Sequence, residues 1–248
     1  MTRTKQILMT AAAGVGIALA GNSASAGTIS YVQITSDADS GISTSNTYTH
    51  KLDFDTTTST GGGATVNGVE FDRADEASAV YSGSWADANA GTANSASIGG
   101  GVGGLLQGFL LRGASATNDQ TNTLTISGLT EGTEYDFRIY SGQWRGGTAR
   151  NNTITFDPAG ASDSTPLINQ DNPTAIGFSG TDAYYINYNY TATASGTLLV
   201  DFTTGPDSLG TTQGSWHIYA ITNQVVPEPG SLALLALGGL CVLRRRRG

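Results

Sequence analysis

Cysteine is missing from all but the far end of this 248-residue chain, where Cys241 stands alone. Its absence from the body excludes a disulfide framework, a thiolate metal site and a thiol nucleophile there. Stability has to come from the core, from hydrogen bonding or from a bound ion. Basic residues are scarce too. Between positions 27 and 225 there are six, Lys51, Arg73, Arg112, Arg138, Arg145 and Arg150, against nineteen acidic ones, a net charge of −13. A body of that sign does not neutralise phosphates, which excludes nucleic acid as a partner. Histidine occurs twice, as His50 and His217. Each falls within a strand pattern, and nothing in the spacing joins them in a metal pair or a triad. The chain has no G-x-S-x-G elbow, no H-E-x-x-H and no P-loop. Nineteen carboxylates leave a glycosidase-type acid pair open by number alone, but no pair stands out. The body therefore reads as non-enzymatic.

Long apolar runs are also lacking, and the two that exist sit at the ends. Arg3 and Lys5 precede an apolar stretch from Ile7 to Ala20, and Asn22-Ser23-Ala24-Ser25-Ala26 follows it. A positive start, a short apolar core and small residues in an A-x-A pattern make a secretory signal peptide, cut after Ala26 by signal peptidase. The apolar stretch is shorter than the roughly 20 residues that span a bilayer. At the other end Val226-Pro227-Glu228-Pro229 interrupts the chain, since closely spaced prolines block helix and central strand alike. An uncharged Leu/Ala-rich segment runs from Leu232 to Leu243, ahead of Arg244-Arg245-Arg246-Arg247. The segment favours a helix in lipid, and the arginines would stay on the cytoplasmic side.

These three parts, Val226–Pro229, Leu232–Leu243 and Arg244–Arg247, closely resemble the PEP-CTERM sorting signal. The same short domain carries the label of an ice-binding protein C-terminal domain, which implies nothing about ice. The resemblance implies recognition by an exosortase-type membrane protease and a transient inner-membrane anchor. It also implies delivery to the cell surface, outer membrane or extracellular matrix of an exopolysaccharide-making bacterium. The chain thus divides into a signal peptide (1–26), a body (27–225) and a sorting signal (226–248).

The body reads as all-β: about ten strands in a two-sheet β-sandwich or jelly roll, without a convincing amphipathic helix. No fixed-period repeat supports a solenoid. Period-two patterns run over Thr28–Thr35 and along Tyr48, His50, Leu52 and Phe54, which are expected to share a face. They continue through Leu124 and Ile126, through Tyr135, Phe137 and Ile139, and through Ile154 and Phe156. Tyr184–Tyr190 and Leu198, Val200 and Phe202 follow. Ser215–Thr222 is expected as one strand, with Trp216, Ile218 and Ala220 on one face and His217, Tyr219 and Ile221 on the other. Asn67-Gly68 between Val66 and Val69 is a tight-turn signal. Residues 86–104 read as a long loop with at most a short helical turn. Leu124 to Ile139, with Leu129, Gly132 and Tyr135, resembles the tyrosine corner of fibronectin type III domains. That resemblance implies that the Tyr135 hydroxyl bonds backbone a few residues upstream. With Asn67-Gly68-Val69 and the Gly128-Leu129-Thr130 corner, the body also resembles PEP-CTERM surface proteins with a β-sandwich body. Some of these resemble galactose-binding-like jelly rolls, which implies sugar binding as one option and nothing firmer.

Two loops carry candidate chemistry. Gln143-Trp144-Arg145 and Arg150 put an indole, an amide and two guanidiniums after the Tyr135 strand. An indole stacks on a sugar face, and the other groups bond hydroxyls. The alternative is a Trp plugging the end of the sandwich, with Arg145 or Arg150 paired to a carboxylate. Trp85 is a second aromatic candidate. Asp37 and Asp39, ahead of Gly41, have the acidic spacing of a calcium loop, against a plain Asx-type turn. Asp53/Asp55 and Asp72/Asp75/Glu76 are further acidic clusters. The leading expectation is a structural or adhesive surface protein associated with exopolysaccharide. A carbohydrate-binding module and a glycan-active hydrolase are the alternatives.

Overall fold

The structure, a computed structural model of the chain, describes residues 27–54, 63–74, 81–82, 85–88, 97–112, 121–144, 150–157, 162–180, 182–205 and 216–227. Its strands, in chain order, are β1 (Thr28–Ile34), β2 (Thr47–Asp53), β3 (Thr65–Val66), β4 (Val69–Glu70), β5 (Asp72–Arg73), β6 (Tyr81–Ser82), β7 (Trp85–Ala88), β8 (Phe109–Arg112) and β9 (Thr121–Ser127). They continue with β10 (Glu134–Gly142), β11 (Asn151–Asp157), β12 (Asp163–Ser164), β13 (Ile168–Asn169), β14 (Ala183–Thr191), β15 (Thr197–Thr204), β16 (His217–Ile218) and β17 (Ala220–Val225). Among the described residues one short α-helix, α1, spans Gly100–Leu105, and single 3-10 turns span Asp37–Ser40 and Thr174–Ile176.

Two sheets form the sandwich. The first runs β1-β14-β10-β17-β2-β5, antiparallel except for the parallel β2/β5 pair. The second runs β12-β11-β15-β9-β6, with β13 also on β11. A small sheet, β16-β8-β7, and a β3–β4 hairpin complete the set. The all-β sandwich expected from periodicity is the fold observed. The eight strands of six or more residues are those the alternation marks. The others have two to four residues, too few to show a period. One of these, β7, overlaps the stretch 86–104 read as a loop, and α1 is the short helical turn allowed near its end.

Alternation decides what faces inward. Phe137 and Ile139 of β10, Ile186, Tyr188 and Tyr190 of β14, and Ile221 of β17 meet Leu124 and Ile126 of β9, Ile154 and Phe156 of β11, and Leu198, Val200 and Phe202 of β15. Burying each large side chain contributes about 1.5–3 kcal/mol. The Tyr188 ring stacks on Phe156 at 4.3 Å and on Tyr190 at 5.4 Å, which fixes the layer between the sheets. A second core covers the outer face of the first sheet at one end. There Ile34, Tyr140, Tyr185 and Ala220 pack beneath Ile42, Val66, Val69, Phe71, Val102 and Leu105. Asn67 and Gly68 both have positive φ (48° and 81°), as a two-residue turn between β3 and β4 requires.

Two expected faces are corrected. Gln224 pairs Tyr48 while Asn223 pairs His50, so Thr49 is an extra residue in β2. This β-bulge turns Tyr48 to the second core, whereas Leu52 and Phe54 stay with the first. The expected single strand over Ser215–Thr222 is split at Tyr219. Trp216, Ile218 and Ile221 belong to the first core, Tyr219 and Ala220 to the second. Before the break the chain pairs with β8 in the small sheet, and after it with β10 and β2.

The tyrosine corner is present. Leu129 is buried, and the Thr130 backbone N–H donates to the Tyr135 hydroxyl at 3.0 Å.

The register also locates both ends of the body. Thr28 pairs Asn189, Asn189 pairs Asp136 and Asp136 pairs Gln224, so the start of β1 and the end of β17 lie in one row. The usual strand spacing puts them about 14 Å apart. From Asp136 in this row β10 runs six residues further to Gly142 at the opposite end of the sheet, about 20 Å away.

Candidate functional site

The end of β10 delivers Gln143 and Trp144 to the corner farthest from both termini of the body. Across from them the segment after β13 supplies Gln170 and Asp171. The Asp171 carboxylate receives the Trp144 backbone N–H at 3.0 Å and pairs with the Arg150 guanidinium. The Asp171 carbonyl accepts from Gln143 Nε2 at 3.2 Å. Asn169 Oδ1 accepts from the backbone N–H groups of Arg150 (3.1 Å) and Asp171 (3.0 Å), which holds the pair in register. The Gln170 amide donates to Ser141 Oγ (2.7 Å) and to the His217 carbonyl (2.6 Å), and accepts the His217 N–H (2.9 Å).

Aromatic rings close the corner. His217 stacks on Phe109 at 3.8 Å, and Trp144 meets Phe109 edge-on at 4.7 Å and His217 at 5.4 Å. Trp144 is half-buried. Burial, with Arg150 nearby, holds the His217 pKa well below the ordinary histidine value. Its ring is therefore neutral at pH 7. Tyr219 packs edge-on against Phe109, and burial raises its pKa far above the usual phenol range. Neither ring is poised to exchange protons with solvent.

The structure thus brings Gln143, Trp144 and Arg150 together, around Asp171. Arg145 lies outside the described residues, and so does the side chain of Trp85. Arg150 and Gln143 are engaged with Asp171, which matches the alternative of a paired arginine beside a Trp at the sandwich end. Sequence reasoning missed Asp171, Gln170 and Phe109. They come from distant segments without a periodic signal, and only the pairing of β8 with β16 and of β11 with β13 brings them in.

Asp37 and Asp39 face different donors. The Asp37 oxygens accept the backbone N–H groups of Gly101 and Val102, each at 2.9 Å, at the start of α1. Asp39 accepts from Thr35 and from Ser36, and the Thr35 hydroxyl is the leading cause of its lowered pKa. Asp53 is buried and accepts the Ala64 N–H at 2.7 Å, while Asp72 pairs with Lys51 at 2.9 Å. Among the described residues no group of three or more His, Cys, Asp and Glu side chains could hold a metal ion. Asp55, Asp75 and Glu76 lie outside them.

At the C-terminal end β17 runs into the sorting segment. The Val226 N–H still donates to the Glu134 carbonyl at 2.9 Å, and Pro227 is the last residue described. Glu228, Pro229, the Leu232–Leu243 segment and Arg244–Arg247 lie outside the described residues, as do Ala24 and Ala26. Among the described residues no helix is long and apolar enough to cross a membrane.

Comparison with protein families matches residues 225–247 to the PEP-CTERM protein-sorting motif. The chain therefore carries that motif, the mark of an exported surface protein processed by an exosortase-type system. No curated protein matches the chain. Among solved structures it is similar to a chain in the crystal structure of plant peptide RALF23 in complex with FER and LLG2, at 15% identity and a TM-score of 0.44 over 73% of this chain. It spans 41% of the length of that chain. It is also similar to a family 35 carbohydrate binding module from an environmental isolate, at 14% identity and a TM-score of 0.30. That match covers 48% of this chain and 73% of the module.

Proposed function

We propose that the body is a non-enzymatic structural or adhesive domain, held at the cell surface or in the exopolysaccharide matrix with its Trp144 corner facing outward. The supporting observation is the layout of the first sheet. The start of β1 and the end of β17 share one row, and the Trp144 corner sits at the other end of β10. The signal peptide is removed from that end, and the sorting segment behind β17 tethers the same end. The opposite end is presented to the surroundings. The net charge of −13 between residues 27 and 225 suits a body kept clear of an anionic membrane surface.

The body has no cysteine, so single introduced thiols report the orientation. Ala175, in the segment ahead of β14, and Ala194, just after β14, are both exposed and belong to opposite ends. On whole cells an impermeant thiol reagent is expected to label Ala175→Cys faster than Ala194→Cys. Equal or reversed rates would overturn the arrangement.

A carbohydrate-binding role is the second reading, favoured by the half-buried Trp144 ring beside the Arg150–Asp171 pair. A glycan array on residues 27–225, with Trp144→Ala as a folded control, separates the two. Binding lost in the folded variant makes the corner a sugar site. No binding by either protein leaves the adhesive role to protein partners. The third alternative, a hydrolase, requires turnover of a polysaccharide that one acidic substitution abolishes.

A further inference from the structure

The first residue of the body sits in a site built for it. The Gly27 backbone N donates to Asp163 Oδ2 at 2.7 Å, and the Tyr188 hydroxyl donates to the same oxygen at 2.8 Å. Asp163 belongs to β12 at the edge of the second sheet, and Tyr188 belongs to β14, next to β1 in the first. The contact therefore joins the two sheets at their edge. No side chain fits at position 27. A Cβ there would lie 2.3 and 2.5 Å from ring carbons of Tyr188 and 2.6 Å from the Asn189 carbonyl oxygen. The groups facing this point are Asp163 on β12, Tyr188 and the Asn189 carbonyl on β14, and Asp157 on β11, which acts on the Tyr188 hydroxyl by its charge. All of them present oxygen, and two carry negative charge.

We infer that this site receives the α-ammonium group that export creates on Gly27, so that removal of the signal peptide locks the two sheets together. The inference rests on the reading that signal peptidase cuts after Ala26. Water hydrolyses the Ala26–Gly27 bond, leaving a carboxylate on Ala26 and a protonated amine on Gly27. The amide N–H bond to the Asp163 carboxylate, charged on the acceptor side only, becomes an ammonium–carboxylate ion pair charged on both sides. The ammonium also gains two further donors. The small residues Ala24 and Ala26 serve the protease, whereas glycine at position 27 serves the fold.

The pH dependence has a definite sign. An α-amine titrates near 7.7–8.0 in an unfolded chain. Asp163 raises that value in the folded one, so the added stability is full below the unfolded value. It is lost as pH rises through the raised one.

The test has two arms. N-terminal sequencing of the exported protein is expected to give Gly27 first. The mature body, which contains both cores, is then melted in two forms, one starting with a free Gly27 amine and one carrying Ala26 ahead of it. The free form is expected to melt higher by about 2–4 °C near neutral pH. The advantage should fade above the raised amine value, and should vanish when both forms carry Asp163→Asn. Comparing the pair in each background cancels the loss of the Tyr188 bond. A different first residue overturns the cleavage reading and the docking with it. Gly27 first but equal melting, or an advantage that survives Asp163→Asn, overturns the docking alone.

Discussion

Arg150 and Asp171 form an ion pair whose side chains are 9% and 1% exposed, at the end of the sandwich opposite both termini of the body. The same carboxylate holds the Trp144 backbone, so the pair also sets the position of the indole. Desolvation offsets much of the attraction between two buried charges, but removing one partner strands the other. Asp171→Asn is expected to cost about 3–5 kcal/mol, read as a lower midpoint in urea unfolding. Arg150→Met should cost a similar amount. If Arg150 serves chiefly to hold a sugar, Arg150→Met would weaken glycan binding and leave the midpoint unchanged.

His217 makes the folded body sensitive to mild acid. Its folded pKa is depressed by burial first and by Arg150 second. Below about 6.5 the unfolded chain takes up a proton that the folded one refuses. The unfolded state then holds more protons, and stability rises with pH in that window. Stability is therefore full above the ordinary histidine value and declines as pH falls through it toward the depressed one. Half-buried His50, also lowered by burial, adds in the same direction. The melting temperature should drop between about pH 7 and pH 5. His217→Phe keeps a ring against Phe109 and should flatten most of that slope. A flat wild-type profile would contradict the assignment.

The corner between β9 and β10 depends on Tyr135. Its hydroxyl accepts the Thr130 N–H, and its ring stacks against Tyr190 at 5.7 Å. Tyr135→Phe keeps the ring and leaves the Thr130 N–H without that acceptor, at a cost of about 0.5–1.5 kcal/mol. Leu129→Ala opens a cavity beneath the same corner and should cost about 2–5 kcal/mol. Urea titrations of the two variants give the ranking. Equal losses would mean that the hydroxyl does more than close this turn.

That corner was legible because everything it needs lies within a dozen residues. The long strands were legible for a related reason: Leu124/Ile126 and Leu198/Val200/Phe202 each repeat a local period that burial imposes. The reading failed where one residue resets the phase. Thr49 is extra in β2 and sends Tyr48 to the other face, and Tyr219 separates two strands in different sheets. Nothing in the composition of either segment marks the shift, since all the residues involved suit a strand. The corner around Asp171 was only half legible. Gln143, Trp144 and Arg150 are near neighbours in sequence and could be grouped. Asp171 and His217 join them through sheet pairing alone.

Asp37 ties the segment after β1 to the first turn of α1, 64 positions along the chain at Gly101. Both of its oxygens accept backbone N–H groups there, as a helix-capping carboxylate does. Six residues of mostly glycine have little helical propensity of their own, so α1 leans on this cap and on Val102 and Leu105 in the second core. Asp37→Ala is expected to cost about 0.5–2 kcal/mol. The loosening should be confined to the second core, where hydrogen exchange at Gly101 and Val102 would speed up while the sheets stay protected. A calcium ion at Asp37 and Asp39 would need roughly six to eight oxygens and would compete with the donors those carboxylates already serve. Chelator is therefore expected to leave the melting temperature unchanged, and Asp37→Ala to melt lower with or without Ca²⁺. A chelator-induced drop in the wild type that disappears in Asp37→Ala would reverse the assignment and make the loop a calcium site.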